Sequence, residues 1–232
     1  MRARATVFSA LFTVVGLLGA CGGSSGGSDI TGHSRLIDEL AEQVDNAGDR
    51  AYTAEYLLGG EGEIATIARQ ATPEQVAFLF PDGRYVVTAD YEMWCTPAEE
   101  TECVVHPASE PTLSPPGGVL EELGGEQFLS AQTVIGWLTE AGASSSANIT
   151  SKTRTIAGEH ATCITVAGAE TARVTDFEAC VTDAGLLGSF TGSVDGQPRS
   201  VVLKSVSATV EPELFEIPED VVVIDERPSP ST

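Results

Sequence analysis

Positive charge is what this chain has least of. It holds 12 lysines and arginines against 34 aspartates and glutamates, for a formal net charge of −22. That balance leaves no basic footprint for a phosphate backbone, which excludes nucleic acid as a partner. It also opposes contact with anionic headgroups, so charge is not what would hold the chain at a membrane. Histidines are scarce and scattered, at His33, His106 and His160, and no two cysteines stand in C-x-x-C spacing. A zinc site therefore has no ligand set, and no metal or cofactor is expected. No apolar run reaches the roughly 20 residues that a spanning helix needs. No phosphate loop occurs, and no residues combine nucleophile, base and oxyanion donors, so no catalytic residue and no enzyme activity is expected.

What is present begins at the N-terminus. Arg2 and Arg4 precede an uncharged apolar stretch over 5–20, which closes on Leu18-Gly19-Ala20-Cys21 and runs into Gly22-Gly23-Ser24-Ser25-Gly26-Gly27-Ser28. A charged start, an apolar middle and small residues before a cut describe a secretory signal. The cysteine after the small pair resembles the lipobox of bacterial lipoproteins. That resemblance implies removal of residues 1–20, a diacylglycerol on the Cys21 sulfur, and a place on the outer face of the cell membrane. Two acyl chains anchor stably where one does not, because each buried methylene contributes about 0.8 kcal/mol. Residues 21–33 read as lipidated cysteine plus flexible tether, 34–226 as one domain, and 227–232 as a disordered tail. Loss of the two arginines with the signal would leave the mature chain near −24.

Cys21 aside, four cysteines remain: Cys95, Cys103, Cys163 and Cys180. Four allow three pairings. Cys95 and Cys103 bracket a polar turn, Cys163 and Cys180 a second hairpin connection, so local pairing is the simplest assignment. Export permits oxidation.

Helical periodicity runs over 34–46, with Leu36, Ile37, Leu40, Ala41 and Val44 on one face. Strands are predicted over 52–58 and 63–70. From Gln75 the pattern is strongly β: Val76, Phe78 and Phe80 point one way, and Pro81-Asp82-Gly83 turns the chain. Tyr85, Val87, Ala89, Tyr91, Met93 and Cys95 then alternate as one further strand. With Phe80 facing Tyr85, both sets share a face of the sheet. A helical stretch over 119–143, broken at Gly124-Gly125, carries Phe128, Leu129, Val134, Ile135, Trp137 and Leu138. Strands return over 150–157, 161–167, 177–182, 186–194 and 200–210, with turns at Asp183-Ala184-Gly185 and Asp195-Gly196-Gln197. Runs of strands without intervening helices predict an α+β fold on an antiparallel sheet.

The segment from Leu214 to Asp225 closes on a pattern of Phe215, Pro218, Val221, Val223, Ile224 and Asp225 that resembles the close of the lipoprotein-carrier (LolA-like) family. The lipid-anchored Gram-positive branch, with its LppX- and LprG-like proteins, shares the lipobox. The run from Ile156 to Cys163, then Cys180 to Gly185, is also similar to a pattern in such lipoproteins. The resemblance implies a strongly curved antiparallel half-barrel, its open side closed by helices over an apolar cavity. It implies a lipid or lipoprotein ligand, though a chain anchored at Cys21 would hold or sense a lipid rather than shuttle it. Phe78, Phe80, Tyr85, Val87, Tyr91 and Met93 of the sheet, with Trp137 of the helix, are the candidate lining, and the same residues equally suit an ordinary core. A monomer is expected. The rival reading is an interaction or sensor module whose acidic face docks a basic partner, with no cavity.

Other matches carry little. Gly22-Gly23-Ser24-Ser25-Gly26 fits G-x-S-x-G but lies in the tether, not on a strand-to-helix turn. Asn148-Ile149-Thr150 is a sequon without meaning in a bacterial export product. Asp176, Asp183 and Asp195 lack the spacing of a calcium loop. Glu121 and Glu122, adjacent on a helix, do not face each other.

Overall fold

The computed structural model describes residues 28–59, 62–96, 101–112, 114–169 and 173–228. The expected signal peptide, Cys21 and most of the expected tail lie outside them. Helix α1 (Ser28–Ala47) leads into six strands: β1 (Tyr52–Leu58), β2 (Glu63–Ala71), β3 (Glu74–Phe80), β4 (Gly83–Val87), β5 (Tyr91–Thr96) and β6 (Glu102–Pro107). Helices α2 (Gly117–Glu122) and α3 (Ala131–Ala143) follow. Then come β7 (Asn148–Ile156), β8 (Glu159–Ala167), β9 (Val174–Thr182), β10 (Leu187–Val194) and β11 (Gln197–Ser207), a 3-10 turn at Pro212–Leu214, and β12 (Val222–Asp225).

The strands of the described residues form one open sheet in the order β12-β6-β5-β4-β3-β2-β1-β11-β10-β9-β8-β7. Every pairing is antiparallel except β12 with β6, which is parallel. This is the α+β, antiparallel architecture that the order of elements predicts. Two of the hairpins close on two-residue turns in which both residues are left-handed, Ala157-Gly158 (φ 51° and 83°) and Asp195-Gly196 (φ 51° and 78°). Such turns match the twist of the flanking strands.

The helices cover one face of the sheet. Ile37, Leu40 and Val44 of α1, and Val134, Trp137, Leu138 and Ala141 of α3, pack on Tyr56, Leu58, Ile67, Val76, Phe78, Phe190, Val201 and Leu203. Burial of each such large side chain contributes about 1.5–3 kcal/mol. The back face has its own smaller core. Ala68, Ala77, Val86, Met93 and Val105 lie under Phe215, with Val210, Leu214, Ile217 and Val221 packed around them. The chain leaving β11 thus crosses the back of the sheet as a strap, reaches β6 at the edge, and adds β12 there. Tyr91 pins the strap by donating its hydroxyl to the Phe215 carbonyl at 2.5 Å.

Four expectations need correction. The helix expected to begin at Ser34 begins at Ser28; Gly32 inside its first turns weakens the sequence signal. The single strand expected from Tyr85 to Cys95 is a hairpin, β4 and β5, joined through Thr88-Ala89-Asp90. Thr88 builds that turn: its hydroxyl oxygen accepts from the N–H groups of Asp90 and Tyr91, each at 3.2 Å. Across the Asp82-Gly83 turn, Tyr85 pairs with Phe78 and not with Phe80, which pairs with Gly83. The helix expected to carry Phe128 starts at Ala131, capped by Ser130, whose hydroxyl accepts from the Thr133 N–H at 3.2 Å. Beyond β12, Arg227 reaches back to Asp225 through Nε–Oδ1 (2.9 Å) and Nη2–Oδ2 (2.7 Å).

Candidate functional site

The candidate lining splits between the two faces. Phe78, Phe80, Tyr85, Val87 and Trp137 gather on the helix-covered face, all buried. Tyr91 and Met93 do not join them. Val87 pairs with Glu92 across the Thr88 turn, so the hairpin moves Glu92 and Trp94 to the face of Tyr85 and sends Tyr91, Met93 and Cys95 to the back. Met93 is fully buried under the strap.

On the covered face the rings are in contact. Phe128, from the loop before α3, lies 5.8 Å from Tyr56, 6.3 Å from Phe78 and 5.7 Å from Phe80, edge-on to each. Phe78 lies 6.4 Å from Phe80 and 6.1 Å from Tyr85. Trp137 meets Phe190 at 5.5 Å, and Phe190 meets Phe177 at 5.7 Å. These spacings are those of packed aromatic clusters. At the seam between helices and sheet lies a hollow of about 30 Å³, bounded by Val44, Ala47, Tyr56, Ile67, Phe128 and Leu187. None of the five covered-face candidates lines it. A site for a drug-sized apolar ligand takes ~300–1,000 Å³.

Polar groups at the rim of this core are mostly partnered. Tyr85 donates its hydroxyl to Glu92 Oε1 at 2.9 Å, and burial first, then that carboxylate, raises the phenol's pKa. Trp94 stacks on His106 at 4.3 Å, and His106 Nδ1 stands 3.2 Å from Glu226 Oε2. The Arg69 guanidinium, nearly buried, donates from Nε to the Gly48 carbonyl (2.7 Å) and from Nη2 to Glu74 (2.5 Å). It fixes a cation at the end of α1, where the helix dipole favours one. Among the described residues no group of three or more His, Cys, Asp and Glu is arranged to hold a metal ion.

The larger hollows are open grooves. One of about 540 Å³ lies between the strap and the β3–β4 turn, with Asp82, Arg84, Glu219 and Asp220 along it. Another, of about 440 Å³, is rimmed by Glu63, Asp82 and Glu126. A third, of about 260 Å³, opens at the end of α1 beside Arg50 and Tyr52.

The cysteines pair locally. Cys95 and Cys103 face each other directly across β5 and β6, with sulfurs 2.07 Å apart. Cys163 and Cys180 do so across β8 and β9, at 2.09 Å. Both bridges sit on the back face, each tying neighbouring strands. They fit an oxidising, extracytoplasmic compartment. Among the described residues no helix is long and apolar enough to cross a membrane.

Sequence reasoning missed three features: the role of Phe215 as anchor of the strap on the back face, the Trp94–His106 stack on the covered face, and the exposed apolar residues of β12. The last had a signal in Val221-Val222-Val223-Ile224, a short apolar run between acids.

No family model matches the chain, and no curated protein matches it. Among solved structures, it is similar to an uncharacterised conserved protein from Thermus thermophilus, at 10% identity over 82% of this chain and 99% of that one, with a TM-score of 0.49. It is similar to MucB at 12% identity, covering 81% of this chain and 66% of that one, with a TM-score of 0.48. It is similar also to MucB in complex with MucA(peri), at 14% identity over 82% and 61% of the two chains, with a TM-score of 0.46. The chain thus spans less than two thirds of the MucB chains it matches.

Proposed function

We propose that this protein is a non-enzymatic binding module of the cell envelope, tethered through a diacylated Cys21, that meets its partner on its outer surface and holds no preformed acyl-chain tunnel. The observation that carries this reading is the filled space under the helices. A hollow of about 30 Å³ takes about one water, not a hydrocarbon chain. Phe78, Tyr85 and Trp137, the residues that would line a tunnel, are in contact with other core side chains instead.

An acyl-chain ligand is the second reading, favoured by where the hollow lies. It opens at the seam between α1 and the loop before α3, lined by apolar Val44, Ala47, Ile67 and Leu187. Filling it with a chain requires α1 and α3 to move off the sheet of the expected half-barrel, enlarging the hollow about tenfold.

Native mass spectrometry of the full chain, expressed in a membrane-containing bacterial host, separates the two. The surface-docking reading expects a protein mass carrying one covalent diacylglycerol on Cys21 and no further lipid. Residue 1 detected, or an unmodified Cys21, removes the tether. A second lipid that leaves on solvent extraction overturns the reading in favour of the acyl-chain ligand.

A further inference from the structure

The two edges of the sheet are built differently. At one edge, β7 exposes a polar run, Ser151-Lys152-Thr153-Arg154-Thr155. Lys152 and Arg154 both bind Glu178 on β9, the latter at 2.9 Å. Charged side chains on an edge strand are a common device against pairing with another chain. At the other edge the four-residue β12 carries one charged side chain, Asp225, at its end, and the rest of the strand is apolar. Val222, Val223 and Ile224 are 43%, 45% and 39% exposed, three of the four large apolar side chains exposed among the described residues.

The backbone of β12 is satisfied on one side. The Val222 N–H donates to the Thr101 carbonyl (2.9 Å) and the Glu226 N–H to the Val105 carbonyl (2.8 Å), both toward β6. Successive residues of a strand alternate in the side to which they turn N–H and C=O, so Val223 and Asp225 turn theirs to the free edge. An apolar strand with open backbone groups is a template for one more strand.

We propose that the free edge of β12 docks an extended basic peptide segment of a partner protein as an added strand. This rests on the binding-module reading above and names its site. Charge identifies the occupant. β12 is bracketed by Glu219 and Asp220 before it and, at its other end, by its own last residue Asp225 and the following Glu226, in a chain of net charge −22. A guanidinium already sits on one bracket, where Arg227 grips Asp225. The fitting segment has β-formers at its centre, to lie beside Val223 and Ile224, and lysine or arginine at its ends. A second copy of this chain is disfavoured, because β12 against β12 brings two acidic brackets, and two strongly negative molecules, together.

The test uses the full oxidised chain and three labelled peptides. The first is Lys-Lys-Val-Thr-Val-Ile-Lys-Lys, the second replaces each lysine by glutamate, and the third is Lys-Lys-Pro-Thr-Pro-Thr-Lys-Lys, equally charged but unable to form a strand. Fluorescence anisotropy gives affinity, and amide exchange by NMR gives the site. Val223→Pro removes the outward N–H and leaves the bonds to β6; Val223→Lys adds an edge charge and keeps the N–H. The expected result is binding of the first peptide only, at least tenfold weaker in both variants, with protection of the Val223 and Asp225 amides. Equal binding of the proline peptide, or unchanged affinity in both variants, overturns it, as does no binding to the native chain. A concentration-dependent dimer that Val223→Pro abolishes assigns the edge to a second copy and also overturns it. Lipid found by native mass spectrometry, with peptide binding intact, would sink only the surface-docking reading.

Discussion

Two glycines with the same backbone show how context sets the cost of a side chain. Gly185 and Gly196 both have φ of +78°. A Cβ on Gly185 would lie 2.0 Å from the Gln43 carbonyl oxygen, since the β9–β10 turn packs directly on α1. A Cβ on Gly196 would meet nothing within 4 Å. The left-handed conformation alone costs about 1–2 kcal/mol for a non-glycine residue. Gly196→Ala should therefore lower stability by about 1 kcal/mol, and Gly185→Ala by about 3 kcal/mol or more, because backbone must also move. Urea denaturation of the two variants checks this; equal losses would mean that the turn does not bear on α1. The same scale explains a misread site. Thr88-Ala89-Asp90 contains no Gly, Pro or Asn, and Tyr85, Val87, Ala89, Tyr91, Met93 and Cys95 alternate straight through it. A hairpin joining Val87 to Glu92 pairs an odd with an even residue, so everything after the turn changes face. The sequence signal for the turn was Thr88, whose hydroxyl can bond backbone two and three residues on.

At the scale of elements, the edge strand β7 is fastened by one carboxylate on β9. Glu178 accepts from Lys152, from Thr165 of β8 at 3.1 Å, and from Arg154 at 2.9 Å. The hydrogen bond from Lys152 is the largest cause that holds its pKa below the ordinary value, with Thr165 and Arg154 adding and burial opposing. A folded pKa below the unfolded one means that the stabilisation is complete above the ordinary carboxylate range. It is lost as pH falls through the folded value. Because the partners are about half exposed, the ion pairs contribute about 1 kcal/mol or less. Glu178→Gln should remove that amount at pH 7 and speed amide exchange in β7. It should do neither once the pH has fallen below the lowered folded value, where the native carboxylate is itself protonated; a loss that persists in that acid range would refute the charge explanation. Each disulfide also ties two neighbouring strands. Loops of 8 and 17 residues correspond to about 2.5 and about 3 kcal/mol in the chain-entropy model. Peptide mapping without reduction should recover Cys95 with Cys103 and Cys163 with Cys180, and crossed peptides would contradict the strand registers. These pairings were legible because a short polar turn between two cysteines leaves them opposite one another. The strap was not, because residues 210–221 have neither helical nor strand period and bury Phe215 only by crossing a face that local sequence does not define.

For the whole molecule, class and order of elements were legible from periodicity and turns, but the state of the interior was not. Phe78, Phe80, Tyr85 and Trp137 are apolar whether helices press on them or stand off, and only the packed arrangement distinguishes core from tunnel. Net charge, in contrast, is fixed by composition and bears on stability directly. Two effects of salt oppose each other here. Screening weakens the ion pairs, of which seven between Lys or Arg and a carboxylate occur among the described residues. Most are exposed, and such pairs contribute about 0–1 kcal/mol each, with many contributing nothing measurable. Screening also relieves repulsion among the surplus acids, spread over the entire surface at −22. The Debye length falls from about 30 Å at 0.01 M to about 8 Å at 0.15 M, so most acid–acid repulsion beyond nearest neighbours disappears over that range while the 3 Å contacts keep much of their attraction. Self-repulsion therefore dominates, and stability should rise with salt. For a domain of this size each kcal/mol moves Tm by about 2–4 °C. Calorimetry in sodium chloride from 0.01 to 0.15 M should show Tm rising by about 3 °C or more. A fall in Tm would mean that the ion pairs, Arg69–Glu74 at the end of α1 first among them as the most buried, outweigh the surplus negative charge.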